Sequence, residues 1–233
     1  MTPAAAAALH GAEVVVGYKT YLDLVADFLT NKEVIASEMM KEVERCRRSL
    51  EMAESGKTVA LVSGGDPGIY AMAGLVYELA QEMDCGCTIE IIPGIAAVNG
   101  CAAVLGAPLM HDFAAVSLSD LLTPWPVIEK RLSAAAMADF VTAIYNPKSK
   151  KRTRQIVRAR EIFLDHRLPS TPTGIVTAAT RDQEKVIVTT LEDMLEEEIT
   201  MQSTVIIGNT TTYVWNGKMI TPRGYADKYN LGR

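Results

Sequence analysis

The sequence predicts an α/β protein of two domains, with a mainly parallel sheet in the first and a mixed sheet in the second. Through the first half, short β-rich runs alternate with helical patterns, and strand-then-helix in repeated order builds a parallel sheet with helices on its faces. Around residues 107–125 the pattern is broken by Pro108, Pro124 and Pro126. Beyond that break, β runs follow one another and end at Asn216-Gly217, a two-residue hairpin signal, so the second sheet is mixed. The boundary is placed there, giving residues 1–112 and 113–233. A chain of 233 residues accommodates two compact domains of roughly 100 residues each.

Each element has a local reason. Thr2-Pro3 opens an alanine helix, because threonine caps and proline suits the first helical turn. Glu13–Val16 reads as a strand, Tyr21–Leu29 and Ser37–Ser55 as helices, and Thr58–Val62 as a strand. The glycine-rich turn Ser63–Gly68 leads to a helix over Ile69–Met83, and Thr88–Ile92 is a strand that stops at Pro93-Gly94. A small-residue helix, Ile95–Leu105, follows. After the apolar run Phe113–Leu118, the second half predicts helix Pro126–Met137, strand Phe140–Tyr145 and helix Lys151–Leu164. Then come strands at Thr173–Thr177, Lys185–Thr190 and Thr204–Ile207, with a short acidic helix, Leu191–Ile199, before the last. Thr211–Trp215 and Lys218–Thr221 form the hairpin. Met39, Met40, Met52, Met72 and Met83 fall at helical spacings and read as core filler.

Composition excludes several classes. A net charge of −5 opposes a nucleic-acid surface, which needs a basic excess. No apolar stretch reaches the 18 or so residues of a membrane span. The N-terminus lacks the positive region and apolar core of a signal peptide, and the cysteines read as reduced, so a cytoplasmic protein is expected. Cys85-Gly-Cys87 is too tight for a structural zinc pair and has no second pair, and only three histidines are present. No metal site is expected.

The segment Ser63-Gly-Gly-Asp-Pro-Gly-Ile-Tyr70 admits two readings. Strand, glycine turn and helix start in series is where α/β proteins bring main chain against a ligand. Asp66 as N-cap and Pro67 at the first helical position would equally make a plain helix start. No Gly-Lys-Ser/Thr follows, and the spacing is not Gly-x-Gly-x-x-Gly, so neither familiar phosphate loop is present.

Several segments jointly carry a family resemblance. These are Val15-Val-Gly-Tyr-Lys-Thr-Tyr, the Gly-Asp-Pro loop, Ile92-Pro-Gly-Ile-Ala-Ala and Gly106-Ala-Pro-Leu-Met-His-Asp-Phe. Ser117-Leu-Ser-Asp-Leu-Leu-Thr-Pro-Trp and Tyr145-Asn-Pro-Lys-Ser-Lys-Lys-Arg are finer markers. Together they resemble the tetrapyrrole methylases, in the branch that methylates carbon 17 of precorrin-3B or cobalt-factor III in corrin synthesis. The resemblance implies two α/β domains with S-adenosylmethionine in the cleft between them, a homodimer, and C-methylation coupled to ring contraction. It implies cofactor contacts from Gly64, Asp66, Ile69, Tyr70, Ala96, Ala97, Tyr145 and Asn146, with Gly208, Asn209 and Thr210 closing over the adenosine. Members of the family open with a strand and a Gly-x-Gly-Pro-Gly loop before the Thr-Pro helix, and this sequence starts at Met1-Thr2-Pro3. That departure raises the alternative of a cofactor- or tetrapyrrole-binding protein without turnover; a methylase of another corrin intermediate is a further alternative.

Methyl transfer from a sulfonium is an in-line displacement that needs alignment rather than a protein nucleophile or a metal. The helix end at Asp66–Ile69 is expected to offer N–H groups to the cofactor carboxylate. The substrate is a polycarboxylate, so a basic patch is wanted. Lys148, Lys150 and Arg152, with Lys151 and Arg154, are either that patch or a solvated helix start. Tyr18 and Lys19, with Tyr21, either line the tetrapyrrole mouth or pack a helix start. For proton transfer the candidates are His111, Asp112 and Asp120; His111 is otherwise structural and Asp120 otherwise a turn cap.

Overall fold

The computed structural model describes residues 1–229, and these fall into two compact units, Met1–Ala96 and Ala97 onward. The sequence reading put the division at 112/113. Helix α5 (Ala97–Leu105) and β4 (Gly106–Ala107) belong to the second unit, where they pack against its strands.

The first unit is a small parallel sheet with helices on both faces. Helix α1 (Pro3–Gly11) starts as expected: the Thr2 hydroxyl accepts from Ala5 N at 3.2 Å, and Pro3 occupies the first turn. Strand β1 (Val14–Tyr18) lies between β2 (Glu33–Ser37) and β3 (Val59–Val62), parallel to both. Alternation along β1 assigns its faces. Val14 and Val16 pack toward helix α3 (Glu42–Glu54) through Met52, while Val15 packs toward α1 with Leu9, Leu22 and Val25. Helix α4 (Ala73–Glu82) lies on α3 through Cys46, Leu50, Leu79 and Ala80.

Four readings in this unit need correction. Tyr21–Leu29 is not one helix but a short α2 (Lys19–Asp23) and a single 3-10 turn at Ala26–Phe28. Strand β2 was missed because its apolar core is only Val34-Ile35-Ala36, and the helix begins at Glu42 rather than Ser37. Met39 and Met40 are exposed in the turn between them, with Met40 at φ 66°, so these two are not core filler, whereas Met52 and Met72 are. Thr88–Ile92 has strand composition but pairs with no described strand. Propensity for β structure is realised only against a ladder partner.

The second unit carries a five-stranded mixed sheet in the order β5 (Phe113–Ser117), β6 (Val141–Tyr145), β9 (Ser203–Ile207), β7 (Pro172–Thr177), β8 (Lys185–Thr190). Strands β5 and β6 are parallel; β9 runs against β6 and β7, and β8 against β7. One face takes α6 (Trp125–Met137) and α7 (Arg154–Leu164). Ile156, Ala159, Ile162 and Phe163 form the stripe of α7 that meets Ile144, Ile175, Val205 and Ile207. Burying each such side chain contributes about 1.5–3 kcal/mol. The other face takes α5. A Cβ on Gly174 would lie 2.5 Å from Leu105 Cδ1, so glycine in β7 sets how closely α5 approaches.

The hairpin forms at Asn216-Gly217, with φ 48° and 71°, between β10 (Tyr213–Trp215) and β11 (Lys218–Ile220); β11 also pairs in parallel with β4. A short α8 (Tyr225–Lys228) follows. The expected helix at Leu191–Ile199 is a run of turns. Glu192 and Glu196, and Asp193 and Glu197, would be like charges at i,i+4 on a helix, which oppose it. Leu191 and Met194 anchor the turns in the core instead.

Candidate active site

In the first unit the carboxyl ends of the parallel strands carry the expected loops. The Gly64–Tyr70 segment follows β3 as a series of turns, and α4 starts only at Ala73. Asp66 is therefore not a helix N-cap, and the expected helix end at Asp66–Ile69 is absent. Its carboxylate holds two loops together. Oδ1 accepts from Gly68 N at 2.8 Å and Oδ2 from Gly94 N at 3.0 Å. Gly94 is glycine for a steric reason: a Cβ there would lie 1.9 Å from the Gly65 carbonyl oxygen. Gly64 is covered by the Tyr21 ring, which a Cβ would meet at 2.8 Å, and Tyr21 packs edge-on against Tyr18 at 5.5 Å. Thr2, besides capping α1, donates to Pro93 O at 3.1 Å. The structure thus brings Tyr18, Lys19, Gly64, Asp66, Ile69 and Tyr70 to one sheet end. Ile69 and Tyr70 are exposed there, with Tyr70 at φ 52°. Ala96, buried, follows Pro93-Gly94 by two residues.

The second unit builds its surface from side chains. The Tyr145 hydroxyl, at the end of β6, accepts from Val98 N at 2.9 Å in the first turn of α5, so Ala97, Val98 and Tyr145 are neighbours. Asn146 follows at φ 50° and donates through Nδ2 to Ser117 Oγ at 2.9 Å, at the end of β5. The Arg152 guanidinium is buried and donates to Asn146 O at 3.0 Å, and it lies 4.0 Å from Asp120. Asp120 also accepts from Gln155 Nε2 at 2.8 Å. Helix α7 begins at Arg154, so Lys148–Arg152 form a loop before it rather than a basic helix start. Lys150 and Lys151 are exposed and Lys148 half-buried, while Arg152 faces inward and holds the loop.

Two expected members lie elsewhere. Gly208, Asn209 and Thr210 follow β9, which runs opposite to β6, so they sit at the other end of the sheet from Tyr145. There Thr210 N and Oγ1 both bond Asp139, Asn209 N donates to Thr212 Oγ1, and a Cβ on Gly208 would meet Thr212 at 2.7 Å. His111 precedes β5 at that same far end; it is exposed, and its Nδ1 accepts from Asp112 N at 2.8 Å. The structure brings neither His111 nor Gly208–Thr210 to Tyr145 and Asn146.

One segment at the Tyr145 end was missed. Beyond β7, Ala178 and Thr180 have φ 52° and 61°, and a Cβ on Gly100 in α5 would contact Ala179 and Thr180 at 3.7 Å. Residues of this shape rarely adopt left-handed backbone without a constraint, and such outliers gather at ligand sites. An open cavity of about 430 Å³ lies here, lined by Thr177, Ala178, Lys185, Thr200, Met201 and Gln202. No sequence signal marks it, because Thr-Ala-Ala-Thr is neither glycine-rich nor charged.

Residues 1–195 match the model of the tetrapyrrole (corrin/porphyrin) methylases. The chain belongs to this family. Among the relatives, the cobalt-factor III methyltransferase of Priestia megaterium is 52% identical over the whole of this chain, which spans 44% of that protein's length. The probable cobalt-factor III C(17)-methyltransferase of Salmonella typhimurium is 52% identical over 97% of this chain and 93% of its own length. The crystal structure of the methyltransferase CobJ is 38% identical, with a TM-score of 0.90 over 95% of this chain and 93% of that one. The methylase fold expected from the sequence is therefore the fold observed. Both strand-end surfaces of this tetrapyrrole methylase lie where open α/β sheets take ligands, at the carboxyl ends of their parallel strands.

Proposed function

We propose that the chain is an S-adenosylmethionine-dependent methyltransferase acting at ring carbon 17 of cobalt-factor III or precorrin-3B, with ring contraction, as a cytoplasmic homodimer in corrin synthesis. The observation that carries the reading is the 52% identity to the Salmonella relative, which extends over nearly the full length of both chains. Exposed Tyr213, Val214 and Trp215 on β10 support a protein contact. Among the described residues no helix is long and apolar enough to cross a membrane.

The residues fit the cofactor. Close loop approach at Gly94 and the exposed Gly65 and Gly68 present main chain, which suits a zwitterionic ligand. When bound, the cofactor supplies a methyl group on a sulfonium, ready for in-line displacement by a ring carbon. Gly64–Tyr70 and Pro93-Gly94 of the first unit are proposed to hold the methionine portion; Ala97, Tyr145 and Asn146 are proposed as cofactor contacts on the family resemblance alone. Alignment of this kind can lower a bimolecular barrier by roughly 7–11 kcal/mol. Exposed Lys150 and Lys151, on a loop anchored by Arg152, attract the substrate carboxylates. Leu121 and Leu122, fully outside the core, give its flat macrocycle an apolar support. For the proton we favour Asp120, which lies at this end of the sheet beside Gln155 and Arg152.

Anaerobic incubation with cobalt-factor III and S-adenosylmethionine tests the reading. The product should be heavier by one methyl group and formed in step with S-adenosylhomocysteine. An unchanged macrocycle in the presence of a folded protein that binds the cofactor would overturn it.

A further inference from the structure

The pair Cys85 and Cys87 is not used by the proposed methyl transfer. It lies just after α4, six residues before Pro93-Gly94, and both side chains are half-buried. Cys85 N donates to Ala80 O at 2.9 Å, which turns the chain back so that the two sulfurs face each other across Gly86, 2.8 Å apart. Even non-bonded carbons, which are smaller than sulfur, rest at about 3.5–4.0 Å. The two sulfurs thus stand inside ordinary non-bonded contact, though not at the roughly 2.05 Å of a disulfide bond.

A shared metal ion fits this spacing less well. Two thiolates on one tetrahedral zinc, each at about 2.3 Å, stand about 3.8 Å apart. No third histidine, cysteine or carboxylate completes a ligand group among the described residues. A purely stabilising disulfide fits poorly too, because closing so short a loop removes little chain entropy. What remains is reversible dithiol chemistry.

We propose that Cys85 and Cys87 form a redox couple that exchanges with low-molecular-weight disulfides. The Cys85 thiol loses its proton, and its sulfur bonds to one sulfur of the small disulfide as that S–S bond breaks. The first small thiol leaves and takes up a proton. Cys87 sulfur then loses its proton and bonds to Cys85 sulfur, which breaks the mixed disulfide and releases the second small thiol. Two protein thiols are oxidised and one small disulfide is reduced to two thiols. The order follows from the Cys87 thiol, which burial first, and the hydrogen bond with Cys85 second, push up to about 11. A thiol held protonated is a poor initial attacker. Cys46 and Cys101 are sealed in the two cores and take no part.

Intact-mass analysis of the whole chain after incubation with oxidised glutathione tests this without any variant. The expected product is lighter by two hydrogens, carries no glutathione, maps to a Cys85–Cys87 bond and reverts with dithiothreitol. Under the same conditions Cys87→Ser should accumulate a glutathione adduct at Cys85, while Cys85→Ser should react at least tenfold more slowly. Unchanged mass, a persistent adduct on the native chain, or a bond to Cys46 or Cys101 would overturn the proposal.

Discussion

At the carboxyl ends of β1 and β3 the candidate surface is made of main chain, whereas at the ends of β5, β6 and β7 it is made of side chains. The first is a glycine turn held by one carboxylate, with two hydrogen bonds from Asp66 spanning Gly68 and Gly94. The second depends on a tyrosine hydroxyl, an asparagine amide and a buried guanidinium that tie β5, β6, α5 and the basic loop together. The supporting layers differ in the same sense. Strands β6 and β9 are buried along their whole length, while β3 is only half-buried. A surface of main chain is damaged by adding atoms; a surface of side chains is damaged by removing them.

The largest effect is therefore expected from the smallest addition. Gly94→Ala places a Cβ against the Gly65 carbonyl. Overpacking of this kind costs about 1–3 kcal/mol, and with the turn displaced, kcat/KM in the anaerobic methyl-transfer assay should fall about a hundredfold or more. Thermal unfolding should show a smaller loss. If Gly94→Ala retains activity, the first surface is not the cofactor's seat.

In the second unit, Arg152→Ala removes the anchor of the basic loop and leaves Asn146 O without its donor. Such a loss is worth about 1.5 kcal/mol and should raise KM for the macrocycle roughly tenfold while changing cofactor affinity little. Tyr145→Phe deletes the bond to Val98 N, worth about 1 kcal/mol, so cofactor affinity measured by calorimetry should weaken about fivefold. Smallest of all, His111→Ala should leave kcat within twofold, since the histidine lies at the opposite sheet end. A large loss there would return His111 to the catalytic set.

Elements with strong local signals were legible from sequence. Thr2-Pro3, Asn216-Gly217 and the apolar stripe of α7 carry their structures in their own residues. Elements decided by partners were not. Val34-Ile35-Ala36 becomes a strand because β1 is beside it, and Thr88–Ile92 does not, because no described strand pairs with it. The same division holds at the site. Glycines that touch other backbone announced the first surface, and Tyr145-Asn146 the second. Gly208–Thr210 lie at the end of the second sheet opposite Tyr145, because strand direction, not motif, decides which end of a sheet a loop occupies. Ala178–Thr180 escaped notice because left-handed backbone at alanine and threonine leaves no mark in the sequence.

Hydrogen exchange with and without S-adenosylmethionine tests the central claim most directly. Binding should protect residues 64–70, 93–98, 145–146 and 177–180, and leave 208–212 unchanged. Protection confined to 208–212, with the strand ends unaffected, would contradict the assignment of the cofactor to the carboxyl ends of these parallel strands.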